Sequence, residues 1–463
     1  MILQAFYVSP YQICIREGNC FMDLLKDDVR KLFYAYLIPA ISSAIAVAIY
    51  SLVDTIVIGQ GVGPDGMAAC AIVLPIFSIA SFIATLCGIG GSVLMTRARG
   101  SGHQEKGDAY FTAAIMLVIV LTLSAWIPGY LLQEPFYRLC GADEVLMPYS
   151  KDYGTWIFAF LPSFVITSFL GAFIRSDGAP RVVMCSTLTG GVVNMFGDWL
   201  FVFPLNMGMT GAAIATVLGS VVQAVLLLGY ILLKKTSLHV ARPHHWIRAF
   251  RNIIITGFGA GINSLAVIAV SFIANNQIMN YAGSASLAVY GALGTVAALF
   301  TCVFSGIGQA VQPVSSANYG AGTPERSWMA GKLGLKNALL FGTLFTVISV
   351  AFPLEVAGLF MKMTPEVEEV TPYIMRVFSL SYIPQAGCIF SIYFLQSIVH
   401  PKMATILSLL RGIILNGSFL ILFPLLWGAN GIWWALFSAE LLTMLAAGVC
   451  IVTLYRKQPN IKL

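Results

Sequence analysis

Long apolar segments alternate with short polar breaks along nearly the whole chain. A helix needs about 20 apolar residues to cross the hydrocarbon core of a membrane, and twelve segments are long enough to do so. Hydrophobic residues make up 58% of the sequence and charged residues only 10%, which leaves too little polar material to cover these segments in a soluble protein. The pattern predicts an all-α integral membrane protein with twelve transmembrane helices, at 33–60, 68–96, 109–132, 152–174, 182–204, 210–233, 252–280, 286–314, 334–360, 372–396, 403–425 and 430–455.

Lysine and arginine are concentrated in every second loop, whereas the opposite loops carry only Arg138, Lys151 and Lys362. Basic loops stay on the cytoplasmic side, so both termini are predicted to be cytoplasmic. The net charge of +6 reflects this asymmetry, and no basic cluster is dense enough to indicate a nucleic-acid partner. The expected partner of these loops is the headgroup layer of the lipid bilayer.

The nine cysteines and five histidines do not form the pattern of a redox, zinc or protease site. The cysteines are scattered without a CxxC pair, so no disulfide framework is expected. All histidines fall in predicted cytoplasmic loops, away from acids at membrane depth. There is also no GxGD-type aspartyl motif and no GxSxG elbow. The sequence therefore predicts a protein that is not an enzyme and has no cofactor.

Residues 1–30 are predicted to form a cytoplasmic segment before the first helix. Met22 begins the amphipathic stretch MDLLKDDVRKLF, whereas residues 1–21 have neither the apolar core of a signal peptide nor a clean helical pattern. We expect residues 1–21 to be an extension from an upstream start, disordered or lying on the membrane surface.

The chain matches itself at an offset of 220 residues. LFVFPLNMGMTGAAIA (200–215) aligns with LILFPLLWGANGIWWA (420–435), and glycines and charges in 98–106 align with those in 317–326. A third match places Pro162 over Pro384, shifted by two residues. Matches in loops as well as in apolar helices indicate a true internal repeat.

Two copies of six helices, each with an even number of spans, have the same orientation in the membrane. They predict two bundles related by a pseudo-twofold axis along the membrane normal, which is one plan of secondary transporters with a cavity between the halves. The predicted parts are an amino-terminal bundle (31–233), a cytoplasmic linker (234–251), a carboxyl-terminal bundle (252–455) and a cytoplasmic tail (456–463).

Two aspartates lie inside apolar segments, Asp54 in helix 1 and Asp198 in helix 5. The repeat places Ala274 and Ser418 at the matching positions of the second half, so these acids belong to the first half. A carboxylate at membrane depth is unfavourable by several kcal/mol unless it is paired, protonated or hydrated. Acids in such a position are therefore candidates for a functional site.

Other polar side chains accompany the two acids. Asn194 and Asp198 are four residues apart on one helix face, Tyr50 and Asp54 repeat that spacing, and Thr216 lies in helix 6. Two converging carboxyl groups in a medium of low dielectric resist double ionisation, so one of them is expected to take up a proton or to share a sodium ion. The alternative is a pair of structural acids satisfied by the backbone and water.

Two further charges, Glu440 and Arg411, fall inside helices 12 and 11. Glu440 is either a second acid in the carboxyl-half cavity or a protonated acid in an interhelical hydrogen bond. Arg411 either lines the cytoplasmic vestibule or extends to the headgroups, and the second interpretation is favoured.

Several motifs together resemble the multidrug and toxic compound extrusion (MATE) family in its bacterial branch. They are YSLVDTIVIGQGVGPDGMAA, FIRSDGAP, NMFGDWLF and the glycine-rich cytoplasmic turns, and the resemblance covers residues 30–455. It implies a cation-coupled antiporter of the bacterial cytoplasmic membrane that exports organic, often cationic and amphipathic compounds by alternating access. In the branch with an amino-half coupling site, the matching residues are Asp54, Asn194, Asp198 and Thr216, with Tyr50 beside them and Pro39 as the position at which helix 1 is proposed to bend.

Helices 7 and 10 differ from those of the other branch of the family, in which acids in these two helices form the cation site. Helix 7 offers only neutral Asn275, Asn276 and Gln277, and helix 10 has no acid. This favours protons as the coupling ion at the amino-half site. Sodium stays the alternative, because the oxygens of the same site can also hold Na⁺. No other metal is expected.

The predicted partners are small organic substrates and the lipid bilayer, and a monomer is expected. The alternative function is a flippase for lipid-linked precursors, since such proteins share a related two-bundle plan. A flippase cavity should be richer in basic residues, and Arg411 is the main basic side chain at cavity depth.

Overall fold

The described part of the chain is almost entirely helical. Its β structure is one antiparallel pair of two-residue strands, β1 (Ile13–Cys14) and β2 (Phe21–Met22). Most of residues 1–21 lie outside the described part, so their interpretation as an extension stays a prediction. This computed structural model describes residues 13–14, 21–233, 236–243, 245–361 and 363–456.

The chain divides into two compact units. The first contains Ile38–Gly257 together with the segment before Val29, and the second contains Val29–Leu37 together with the chain from Phe258 onward. The first eight helices are α1 (Val29–Gly61), α2 (Pro64–Gly100), α3 (Gln104–Leu131), α4 (Gln133–Leu139), α5 (Leu146–Ala159), α6 (Leu161–Ser176), α7 (Pro180–Val202) and α8 (Gly208–Leu232). The others are α9 (Trp246–Gly320), α10 (Pro324–Ala351), α11 (Pro353–Gly358), α12 (Pro365–Ser379), α13 (Tyr382–Ser397), α14 (Pro401–Leu409), α15 (Leu415–Trp427) and α16 (Ala429–Arg456), with a π-helical turn at Leu410–Ile414.

Twelve membrane spans can be traced through the described helices. Nine stretches are long and apolar enough to cross a membrane, and α5 with α6 adds a span bent by 49°. Helix α9 has 75 residues and contains two spans, because its backbone breaks at Gly283 and a straight helix of that length would extend about 110 Å. Helix α7 is the remaining span, and Asn194 and Asp198 reduce its apolar character. The predicted all-α fold with twelve transmembrane helices is confirmed.

The backbone repeats the 220-residue offset of the sequence. Glycines with positive φ occur at matching turns in both halves, and glycine adopts this conformation without the steric penalty of a Cβ atom. These shared turns support the duplicated six-helix plan. The pairs are Gly63 and Gly283 (φ 99° and 76°), Gly102 and Gly322 (81° and 77°), and Gly208 and Gly428 (55° and 59°).

Two of the predicted helices are broken rather than continuous. The predicted fourth helix, 152–174, is α5 followed by α6, and the predicted tenth, 372–396, is α12 followed by α13. Each break comes just before a proline, Pro162 in α6 or Pro384 in α13, whose ring and missing N–H are tolerated in a first helical turn but not in a helix interior. The matched prolines of the repeat therefore mark matched breaks.

Candidate cation-coupling site

Helices α7 and α8 approach each other closely because small residues line their contact. A Cβ atom on Gly219 would lie 2.7 Å from the carbonyl oxygen of Gly190, and one on Gly197 would lie 3.0 Å from the Cβ of Ala215. Larger side chains at these positions would hold the two helices apart. The glycines therefore allow polar side chains of α7 and α8 to meet inside the first unit.

A chain of two hydrogen bonds connects three helices at this contact. Asn194 Nδ2 donates to Thr216 Oγ1 at 3.4 Å, and Thr216 Oγ1 donates to Asp54 Oδ1 at 3.4 Å. Both distances are at the long end of the range for hydrogen bonds. The structure thus brings together side chains from α7, α8 and α1 that lie far apart in the sequence, and it holds them without tight pairing.

Asp198 lies at the centre of the site without a bonded partner. Its side chain is fully buried, and neither carboxyl oxygen has a donor among the described residues; the Oδ1 atom of Asn194 is likewise unsatisfied. Asp198 lies beside Asp54, close enough for a hydrogen bond between the two carboxyl groups when one carries a proton. Buried polar atoms are rarely left unpaired, so these oxygens are suited to a proton, a cation or water.

Two tyrosines complete the surroundings of the acids. The ring of Tyr50 packs on Gly191 of α7, where a Cβ atom would lie 3.0 Å from the ring. Tyr153 of α5 is buried and lies beside Asp54 and Thr216. Sequence reasoning missed Tyr153, because α5 is a separate short helix and nothing in its local pattern links it to helices 1, 5 and 6.

The second unit has an apolar core at the positions that match this site. Ala274, which corresponds to Asp54, and Leu436, which corresponds to Thr216, both belong to a hydrophobic cluster with Trp433 and Leu420. Among the described residues, no group of three or more His, Cys, Asp or Glu side chains could hold a metal ion. The duplicated fold thus carries the paired acids in one half only.

The structure corrects the expectations for Arg411 and Glu440. Arg411 is only 8% exposed and Glu440 only 7%, and Arg411 Nε lies 2.9 Å from each carboxyl oxygen of Glu440. The favoured interpretation that Arg411 extends to the headgroups is therefore wrong, because a buried counter-charge holds its guanidinium. Glu440 accepts from this guanidinium with both carboxyl oxygens, so it takes part in a hydrogen bond between helices. The sequence places these residues in different helices and could not show that they meet.

Pro39 is buried within α1, next to the point at which the helix passes from the second unit to the first. Because proline has no N–H, the carbonyl of Ala35 lacks its usual helical donor. The Ser43 hydroxyl donates to the carbonyl of Pro39 at 2.8 Å. Such back-bonding by serine often accompanies helix bending, so α1 is locally weakened here.

An all-α protein with twelve spans, an internal duplication and buried membrane-depth acids has the architecture of a secondary transporter. The profile of the MatE family matches residues 39–200 and 260–422, once in each half and over more than half of the chain. The chain belongs to the MatE family. Its members are transporters, so this protein is a multi-pass membrane transporter and not an enzyme, as the sequence predicted.

Three comparisons show how far the similarity extends. The chain is 26% identical to the "FAD transporter" of Shewanella oneidensis, over 85% of this chain and 87% of that protein. It is 23% identical to "Multidrug export protein MepA" of Staphylococcus saprophyticus, over 93% and 95%. A solved outward-facing multidrug resistance MATE transporter of the MOP superfamily superposes with a TM-score of 0.87 at 20% identity, covering 94% of this chain and 98% of that one.

Proposed function

We propose that this protein is a cation-coupled antiporter that exports organic, often cationic and amphipathic compounds from the cytoplasm, with protons as the coupling ion. The observation that carries the proposal is the buried, unpaired Asp198 beside Asp54 in the first unit. Among the described residues neither acid forms an ion pair with a basic side chain, unlike Arg411 and Glu440. Uncompensated carboxyl groups at this depth are suited to carry a positive ion across the membrane.

The geometry suits a proton shared between two carboxyl groups. One proton placed between adjacent carboxylates removes most of their mutual repulsion and supplies a donor to oxygens that now have none. The oxygens of Asp54, Asn194, Asp198 and Thr216 also form a donor set for Na⁺, so sodium is the alternative ion at the same site. Coupling requires that ion binding and cargo binding disfavour each other in at least one state, since otherwise the gradient performs no transport work.

Helix α1 provides the movement in this proposal. Pro39 and Asp54 are about fifteen residues apart on α1, which corresponds to about 22 Å along the helix. A change of bend at Pro39 moves Asp54 relative to Asp198 on α7, so the affinity for a shared proton changes with conformation. The ion binds from outside, cargo affinity falls, and the ion leaves towards the cytoplasm after the return step.

The family and the names of relatives both support the proposal that the cargo is an organic compound. The relatives are named a multidrug export protein and an FAD transporter, and both names denote organic cargo. We further propose that both termini are cytoplasmic, in keeping with the loop charges, and that the protein works as a monomer in the bacterial cytoplasmic membrane.

The first test uses everted membrane vesicles energised by respiration. A fluorescent cationic drug is added while the pH of the vesicle lumen is recorded, with and without sodium, for the natural protein, Asp198→Asn and Asp65→Asn. Asp65 is an exposed acid in the first turn of α2 and serves as the control. We expect drug-triggered alkalinisation without sodium, its loss in Asp198→Asn, and its retention in Asp65→Asn.

Unimpaired coupling in Asp198→Asn would overturn the site assignment. A sodium requirement with no pH response would assign the same oxygens to Na⁺. Absence of a response to every cation would contradict antiport and favour the flippase.

A further inference from the structure

We infer that Arg411, with Asn263 and Glu440, forms a binding site for an oxyanion group, a carboxylate or a phosphate, on the exported molecule. The inference rests on the export function proposed above and extends it to the chemistry of the cargo. All three side chains belong to the second unit.

The three side chains meet near the middle of their helices. Arg411 lies about ten residues after the start of α14, or about 15 Å along the helix, which is half the thickness of a typical hydrocarbon core. Glu440 occupies a similar position in α16, and both side chains are more than nine-tenths buried. Replacing a buried ion pair by apolar side chains is often neutral or stabilising, so structural stability alone does not account for this pair.

The guanidinium of Arg411 has unused donors. Its Nε atom donates to both carboxyl oxygens of Glu440, and its Nη1 atom donates to Asn263 Oδ1 at 3.0 Å. Among the described residues no acceptor bonds to Nη2, and Nη2 is not among the buried polar atoms sealed from solvent. A guanidinium presents five N–H donors in a planar fork that matches the oxygens of a carboxylate or phosphate. Glu440 takes one edge of the fork, and the terminal nitrogens keep free donors for an incoming oxyanion.

The backbone around Arg411 is shaped to hold it. Arg411 lies in the π-helical turn Leu410–Ile414, and such turns are frequently found at functional sites. The side chain of Asn416 donates to the carbonyl of Arg411. A Cβ atom on Gly412 would lie 2.6 Å from that of Ala266, so this glycine allows α9, which carries Asn263, to pack against the turn.

The site belongs to the second half alone. At the 220-residue offset, Gly191 and Ser220 stand in the first half where Arg411 and Glu440 stand in the second. Among the described residues, the first unit therefore has Asp54 and Asp198 without a basic partner, and the second has a basic side chain with spare donors. Glu440 competes with an incoming anion for the guanidinium, so binding is weakened enough to permit release.

Binding is tested at equilibrium with purified full-length protein in detergent, by fluorescence anisotropy. Two matched pairs of probes are used: a rhodamine with a free carboxylate against its methyl ester, and flavin mononucleotide against riboflavin. We expect at least one acidic probe to bind about tenfold or more tightly than its partner without the oxyanion, as a charge-assisted hydrogen-bonded pair provides. The rhodamine pair reports on carboxylates and the flavin pair on phosphates. Equal or weaker binding of both acidic probes would overturn the inference.

Two variants change the preference in opposite directions. Arg411→Gln combined with Glu440→Gln removes both charges and avoids an uncompensated buried charge, and it should abolish the preference while leaving the ester and riboflavin bound. Glu440→Gln alone removes the competing carboxylate and should strengthen binding of the acidic probe severalfold. Arg376→Gln removes an exposed arginine of α12 in the same unit and serves as the control, with an unchanged preference. Retention of the preference in the double variant, or its loss in Arg376→Gln, would contradict the assignment.

Failure of the antiport proposal can be distinguished from failure of the oxyanion site. The preference for acidic probes is measured without any ion gradient, so it stays readable if the vesicle experiment shows no antiport. Conversely, proton-coupled export of a cationic drug can be intact in a protein that shows no preference for acidic probes, and only the oxyanion site is then wrong.

Discussion

At the residue scale, the candidate coupling site depends on hydroxyl and amide groups that position two acids. Thr216 is the link, since it accepts from Asn194 and donates to Asp54. A hydrogen bond to a charged group typically contributes about 1.5–3 kcal/mol. Removal of the Thr216 hydroxyl alone is therefore expected to have a measurable effect.

We predict that Thr216→Val, which keeps the shape of the side chain and removes the hydroxyl, reduces coupled efflux about tenfold or more, because Asp54 loses its donor. Thr216→Ser keeps the hydroxyl and should retain most of the activity. The measurement is drug-triggered alkalinisation in everted vesicles at matched expression. Equal activity of the valine and serine variants would show that the hydroxyl has no part in coupling.

At the element scale, the approach of α7 to α8 decides whether the site exists. Gly219→Ala would place a Cβ atom 2.7 Å from the carbonyl oxygen of Gly190 and 2.9 Å from the Cβ of Asn194, so the helices must move apart. Overpacking of this kind typically destabilises by about 1–3 kcal/mol. We expect a lower melting temperature in detergent and weaker efflux.

Gly229→Ala is the matched control for this prediction. Gly229 lies on the same helix, and a Cβ atom there would meet none of the described residues within 4 Å. Helix propensity alone then applies, and alanine is favoured over glycine by up to about 1 kcal/mol. A melting temperature that falls equally in both variants would contradict the role of the Gly190–Gly219 contact.

The weakened point of α1 leads to a prediction in which stability and activity change in opposite directions. Pro39→Ala restores the N–H that the carbonyl of Ala35 lacks, and alanine is favoured over proline within a helix by about 3 kcal/mol. We expect a higher melting temperature and slower drug efflux, because α1 bends less readily. Both are measured on the same preparation, in detergent and in vesicles.

Pro75→Ala, within α2, is the control for the bend. It should also raise the melting temperature and should leave efflux unchanged. Equal loss of efflux in the two proline variants would assign the effect to helix stiffness in general and not to Pro39.

At the scale of the whole molecule, a network of charges anchors the segment after α8 within the first unit. Asp177, between α6 and α7, accepts from Arg99 Nη1 at 2.8 Å, from Thr236 Oγ1 at 2.6 Å and from the backbone N–H of Ser237 at 3.0 Å. Arg99 Nη2 also donates to Asp108 at 2.6 Å. The Asp177 side chain is 1% exposed, so this network is shielded from solvent.

We predict that Asp177→Ala destabilises the protein by about 1–3 kcal/mol, because the buried donors of Arg99, Thr236 and Ser237 lose their acceptor while Arg99 keeps Asp108. It should also increase cleavage of the segment 236–243 by proteinase K, since this segment loses its anchor. Lys151→Gln breaks the exposed pair with Glu134 and should change neither measurement, because exposed pairs contribute about 0–1 kcal/mol. A melting temperature of Asp177→Ala equal to that of the natural protein would show that the network does not stabilise the fold.

Sequence alone determined the membrane class, the number of helices, the repeat and the candidate acids. Each is encoded locally, because a span is a run of apolar residues, a repeat is a comparison of the chain with itself, and an acid inside an apolar run is unfavourable wherever it lies. The apolar pattern also separated the two spans that α9 contains, 252–280 and 286–314, on either side of Gly283.

Only the tertiary structure decided which side chains meet. Tyr153 lies beside Asp54 although α5 carries no pattern that links it to α1, and Arg411 is held by Glu440 and not by the headgroups. A helical pattern indicates which residues share a face, but it does not indicate which helix packs against that face. Pairing of charges between helices depends on that packing, and so the site chemistry beyond the two acids followed from the fold.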